Sequence, residues 1–253
     1  MYNFSMLLED NMHKSFEEKI KVFNKLLINN IEINDSIENK NITELNGEEI
    51  ERIRNLLVEY NKKIVLLNCS KNINDYEYYK AVFKIAYILG IENVKLGFNL
   101  NLSNKCNAIK EYLELILKLG DNYGIGTLIE NNCSIGSTHD VEVTKFCIQC
   151  GIDKSSLGLI FNPLEYVKLK KHPFFHVFYN SKLKNNIQFL RITDGLFKDG
   201  SSTLPGQGNG EMKEMASALL ARSFKGYFSF TPYLKDVDEY TIVSKFKAIL
   251  MEI

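Results

Sequence analysis

The sequence has no excess of charge. Lysine plus arginine and aspartate plus glutamate number 31 each, so the formal net charge is zero. No block of like charge gathers into a tail, which leaves no electrostatic footprint for nucleic acid or an anionic membrane surface. No apolar run reaches the roughly 20 residues that a membrane-spanning helix needs. The opening stretch, MYNFSMLLEDNMHKS, has acids directly after a short apolar run and no basic flank, so it does not read as a secretory signal. Cysteines are five, an odd count, and fit reduced thiols in a cytoplasmic protein. Glycine is missing from residues 8–14, LEDNMHK, where a doubly wound dinucleotide-binding sheet would carry its glycine-rich turn.

What is there is an alternation. Short β-rich runs fall at 2–7, 30–34, 63–69, 94–99, 125–130, 157–162, 187–192 and 226–231. Each is followed by a loop and a stretch of helical period. Ser15 with Glu18 reads as a capping box ahead of Ile20, Phe23, Leu26 and Leu27. Asn46 and Asp75 open two more helices, and Gly90, Gly120, Gly151 and Gly226 stand where helices should stop. Tyr240, Val243, Phe246 and Leu250 form the expected inner face of the last helix, and Pro173 interrupts the sixth connection. Eight strand–helix units imply parallel pairing and closure. The expected fold is α/β, a single (β/α)8 TIM barrel spanning residues 1–253 as one domain.

In such a barrel, reactive groups sit at the C-terminal strand ends. Glu130, Asn162, Arg191 and Thr231 lie at the C-terminal ends of the last four runs. Their i−2 neighbours are Leu128, Ile160, Phe189 and Ser229, three of them apolar, so four polar groups would cap an apolar inward face.

Five segments surround these positions: GIGTLIENN (124–132), GLIFNP (158–163), FLRITDG (189–195), LPGQGNG (204–210) and GYFSFTPYL (226–234). In order and spacing they resemble the last four strands of the xylose isomerase-like TIM barrels, the sugar-phosphate isomerases and epimerases, and the resemblance runs nearly end to end. In that family a glutamate, an aspartate, a histidine and a second glutamate hold a divalent metal. The metal fixes the two oxygens of a hydroxy-ketone or hydroxy-aldehyde, and the glutamates exchange the proton. The resemblance puts Glu130 at the first ligand position. Asn162, Arg191 and Thr231 stand where the aspartate, the histidine and the second glutamate belong.

One carboxylate, one guanidinium and two neutral groups sum to zero charge, and arginine cannot deprotonate to ligate a metal. The expectation is therefore no metal at these four positions, with Arg191 in its place, paired to Glu130 and also to Asp194. Two readings stay open: an ion pair filling an obsolete metal site, or an arginine that holds a ligand carboxylate or phosphate. The function implied is a sugar or sugar-phosphate isomerase- or epimerase-like protein. It would act on or bind a small polyhydroxylated carbonyl compound, with Glu130 as base and Arg191 as electrostatic partner. The alternative is an inactive barrel serving as a small-anion binding or protein-interaction module.

Asn162, Thr231, Asp194, His13, His139 and Glu165 are the candidate substrate contacts. No cofactor is expected. Manganese, magnesium or zinc would enter only if the site had relocated among Glu9, Asp10, His13, His139 and Glu165. With only four histidines and no basic excess, the family's DNA-repair branch fits poorly. Cys147 and Cys150 form a CxxC that reads as one face of a helix, and Cys69 and Cys133 fall at strand ends without a neighbouring histidine. The glycine-rich stretch 205–210 precedes a helix but lacks the ending of a phosphate-binding P-loop. Lys95 reads equally as an inward-facing or a solvated lysine, and association through helices and mouth loops remains open.

Overall fold

A computed structural model describes residues 2–8, 14–97, 106–131, 157–179 and 185–253. The barrel strands are β1 (Phe4–Leu7), β2 (Asn30–Asn34), β3 (Lys63–Asn72), β4 (Asn93–Gly97), β5 (Gly126–Glu130), β6 (Leu157–Phe161), β7 (Ile187–Arg191) and β8 (Tyr227–Phe230). They form one closed barrel in which each strand lies between its neighbours in sequence and β8 lies beside β1. The helices are α1 (Phe16–Asn24), α2 (Gly47–Glu59), α3 (Tyr76–Leu89), α4 (Cys106–Tyr123), α5 (Pro163–Lys168), α6 (Met212–Leu220) and α7 (Glu239–Met251). No described helix is long and apolar enough to cross a membrane.

By density of internal contacts the chain forms two compact units. One comprises Phe4–Ile129 with Gly151–Gly158 and contains β1 to β4. Local signals act here as read. Ser15 and Glu18 close a capping box on α1, and Asn46 and Glu49 close another on α2. Asp75 caps α3, which ends on Gly90 at φ 68°, a left-handed residue that glycine adopts without a Cβ penalty. Ile50, Ile53, Leu56 and Leu57 of α2 are buried, as are Tyr79, Val82, Phe83 and Ala86 of α3.

Two details differ from expectation. Leu27 is 87% exposed, because α1 ends at Asn24 and the chain turns at Leu27 with φ 55°. Gly120 does not stop α4, which runs to Tyr123 before Gly124 turns at φ 66°. Gly120 is needed for close approach instead: a Cβ there would lie 2.8 Å from the Ile125 carbonyl oxygen and 2.5 Å from Thr127 Oγ1.

The registers in this unit are parallel, with Asn68 beside Lys95 and Lys95 beside Leu128. Paired residues share a face. Lys95 therefore points the same way as Leu128 and is half-buried rather than solvated. Glu32 is fully buried on β2 and accepts a hydrogen bond from Ser5 Oγ at 2.6 Å.

The second unit comprises Met1–Asn3, Glu130–Cys150 and Leu159–Ile253. Its register sets Tyr227 beside Phe189 and Ser229 beside Arg191. The irregular sixth connection is α5, with Pro163 at its start, followed by a π-helical turn at Pro173–Tyr179. Phe161 stacks on Tyr166 and meets Phe178 edge-on, so aromatic packing holds the segment where hydrogen bonding is irregular. Gly226 is not a helix cap, since α6 ends six residues earlier; a Cβ there would overlap the Gln188 carbonyl and the Phe224 ring. On α7 Val243, Phe246 and Leu250 are buried, but Tyr240 is 67% exposed.

Candidate functional site

The ends of β5, β6 and β7 bring Glu130, Asn162 and Arg191 together. Arg191 lies on the inward face with Phe189, and its side chain is 3% exposed. Its Nε donates to Glu130 Oε1 at 3.1 Å and its Nη2 to Glu130 Oε2 at 3.2 Å. This is a two-pronged contact between guanidinium and carboxylate, and the Glu130 side chain is 14% exposed. Nη1 turns the other way and donates to Ser229 Oγ at 2.5 Å. Asn162 Nδ2 adds a third donor to Glu130 Oε1 at 3.2 Å.

Asn162 is itself positioned from two sides. Thr193 Oγ1 donates to Asn162 Oδ1 at 2.7 Å. Asn131 clasps the Asn162 backbone, accepting from its N–H and donating to its carbonyl, both at 2.8 Å. The chain Thr193–Asn162–Glu130–Arg191–Ser229 is thus continuous. Three of its contributors, Asn131, Thr193 and Ser229, were not singled out as site residues. The doubled asparagine of GIGTLIENN and the threonine of FLRITDG were the available signals for two of them. Thr231, expected to complete the set, is half-buried just past β8. Ser229, two residues earlier on the same face, engages Arg191 instead.

Asp194 corrects an expectation. It is fully buried, and its carboxylate faces a glycine loop rather than Arg191. Oδ1 accepts from the Gly195 and Gly210 amides at 2.8 and 2.7 Å. Oδ2 accepts from the Gly206 and Gly208 amides at 2.9 and 3.0 Å. A Cβ on Gly208 or Gly210 would lie within 2.7 Å of Asp194 Oδ1, so the loop closes on the carboxylate only because these residues are glycine. Burial pushes the Asp194 carboxyl above its ordinary range, and the four amides pull in the opposite direction. The glycine-rich stretch 205–210 therefore spends amides on an internal anion.

Glu165 is buried on α5 and pairs with Lys168 Nζ at 2.7 Å. Cys69 is buried beside Tyr78 of α3, and burial pushes its thiol up to about 12. Tyr78 in turn donates to Asp35 Oδ2, which also accepts from the Ser70 amide and hydroxyl at 2.8 and 2.7 Å. His13, His139, Glu9, Asp10, Cys133, Cys147 and Cys150 lie outside the described residues. Among the described residues no group of three or more His, Cys, Asp or Glu is arranged to hold a metal ion.

No family model matches the sequence, and no curated protein matches it. Solved structures do. A xylose isomerase domain protein from Planctomyces limnophilus is similar at TM-score 0.74 and 12% identity, over 99% of this chain and 96% of that one. A xylose isomerase-like TIM barrel protein from Mycobacterium smegmatis, in complex with magnesium, is similar at TM-score 0.72 and 16% identity, over 99% and 96%. A sugar phosphate isomerase/epimerase from Parabacteroides distasonis is similar at TM-score 0.71 and 12% identity, over 100% and 96%. Closed barrel, strand order and end-to-end superposition agree: this chain has the fold of the xylose isomerase-like TIM barrels.

Proposed function

We propose that this protein is sugar isomerase- or epimerase-like, and that it recognises a small polyhydroxylated carbonyl compound in a pocket rebuilt around Arg191. The observation that carries the reading is the two-pronged Arg191–Glu130 contact at a barrel strand end. The structural neighbours named above include a sugar phosphate isomerase/epimerase, which supports the sugar-related part.

A divalent metal does not suit the residues at these four strand ends. The guanidinium already occupies both oxygens of the one carboxylate, and its fixed positive charge would repel a dication at close range. No step is therefore assigned to a metal here. In its place Arg191 supplies the positive charge on which an enolate oxygen would settle. Glu130 removes the proton from the carbon beside the carbonyl and returns it, because the β8 end offers Thr231 and no second carboxylate. At rest Glu130 accepts hydrogen bonds from Asn162 Nδ2 and from Arg191 Nε and Nη2. A ligand oxyanion or carbonyl must draw Arg191 off Glu130 before the proton can move.

The same three hydrogen bonds favour a second reading, a binding module for a small anion without turnover. One experiment separates the two. Candidate ketoses, aldoses and their phosphates are incubated with protein in D2O, and exchange at the carbon beside the carbonyl is followed by NMR. The isomerase reading expects enzyme-dependent exchange that Glu130→Gln abolishes while the circular dichroism spectrum is unchanged. Absence of exchange with every compound, together with ligand affinity that Arg191→Ala removes, would leave the binding module. Elemental analysis after loading with Mn2+, Mg2+ or Zn2+ tests the metal-free pocket directly: about one tightly held metal per chain would sink it.

A further inference from the structure

A cavity of about 370 Å3 opens at the N-terminal end of β3, the strand end that in barrels ordinarily serves stability rather than chemistry. Its wall is the last turns of α2, the residues that lead into β3 and the end of α3. Arg54, Lys62 and Lys63 line it, and no carboxylate does. From this geometry we infer a second, separate ligand site: a pocket for a phosphate-bearing small molecule, held by Arg54 and Lys62.

Lys62 is the central group. The residue is 7% exposed, and its Nζ donates to the Ile28 carbonyl at 2.8 Å. A carbonyl satisfies one of the three ammonium donors and offers no compensating charge. A buried ammonium without a counter-ion is costly, and burial lowers the Lys62 pKa accordingly. An anion in the cavity would supply the missing charge. Lys63 is a weaker contributor, because it is paired with Glu92. Arg54 projects from the exposed side of α2, and its planar fork matches a phosphoryl group. The volume falls at the lower end of the range of small-molecule pockets, more than a lone phosphate needs.

Lys62 and Lys63, just past the C-terminus of α2, also complement the carbonyls that end that helix. That accounts for cations on this side but not for a cavity, nor for a lysine buried without a carboxylate.

The probes are inorganic phosphate and pyrophosphate, titrated calorimetrically into the full chain at low ionic strength. Saturable binding in the millimolar range or tighter is expected, weakened about tenfold or more by Arg54→Ala. Arg54 is exposed, so that variant keeps its fold. Lys62→Met is the stricter variant, used only if its unfolding midpoint stays near that of the parent. Three results overturn the site: no saturable binding by either probe, binding unchanged in Arg54→Ala, or binding lost in Arg191→Ala but kept in Arg54→Ala. The last would place the anion at the strand-end pocket instead. Because Arg191→Ala is measured in parallel, failure of this site leaves the reading of the Arg191 pocket untouched.

Discussion

Arg191 and Glu130 meet fork to fork, Nε to Oε1 at 3.1 Å and Nη2 to Oε2 at 3.2 Å, with the arginine side chain only 3% exposed. An arginine that cannot shed its charge is tolerated at the end of a buried strand because the carboxylate and the Ser229 hydroxyl satisfy it there. Removing one partner strands the other. Arg191→Ala is expected to cost on the order of 3–5 kcal/mol by chemical denaturation, since it leaves the Glu130 carboxylate largely buried without its guanidinium. The double variant with Glu130→Gln should recover a substantial part of that loss. If the two single losses simply add, the pair is not a coupled unit.

Asp194 carries a different kind of dependence. Four backbone amides converge on its two oxygens. Asp194→Asn keeps the shape but turns an NH2 toward two of those donors. The expected loss is about 1–3 kcal/mol for each confronted donor. Residues 204–210 should become sensitive to limited proteolysis in the variant and resistant in the parent. Unchanged stability would mean that the loop is held by its own turns and not by the carboxylate.

The barrel was legible in the sequence because its signals are local. Apolar runs, Ser15 with its glutamate three residues on, Asn46, Asp75 and Gly90 all act within one turn, and each fell where the pattern placed it. The Glu130–Arg191 pair was legible for another reason: alternation sets both residues on one face, and the resemblance to a metal-binding ring, with a charge sum of zero, implies that they meet. The Asp194 loop was not, because charge balance treats all carboxylates alike. Only the path of residues 205–210 reveals that amides have claimed this one. Thr231 stands out in the sequence because it ends its run, whereas the register of β8 against β7 sets Ser229, one alternation earlier, beside Arg191. Leu27 and Tyr240 failed as core residues where a helix is shorter than its periodic pattern or its first turn faces solvent.

Gly120 and Gly47 provide a matched test of two uses of glycine inside a helix. A Cβ at Gly120 would press on the backbone oxygen of Ile125 at 2.8 Å, whereas at Gly47, the first residue of α2, nothing lies within 4 Å. Gly120→Ala should therefore destabilise by about 1–3 kcal/mol through overpacking. Gly47→Ala should be neutral or should stabilise by up to about 1 kcal/mol, because it narrows the unfolded ensemble without meeting anything in the fold. Equal melting temperatures for the two variants would contradict the close approach of α4 to the segment leading into β5.

Cys69 should be chemically silent in the folded protein. Its thiol is fully buried against Tyr78, and burial raises its pKa to about 12. The sign follows directly: an acid with a raised pKa holds its proton to higher pH, so the reactive thiolate is scarce even at mildly alkaline pH. Mass-spectrometric mapping after iodoacetamide treatment at about pH 8 should find Cys69 unmodified in the native chain and fully modified in denaturant. Rapid native labelling would mean that the contact between β3 and α3 opens on the timescale of the reaction. The site formed by Asp35, Ser70 and Tyr78 would then have to be treated as a mobile edge of the barrel rather than a fixed part of its wall.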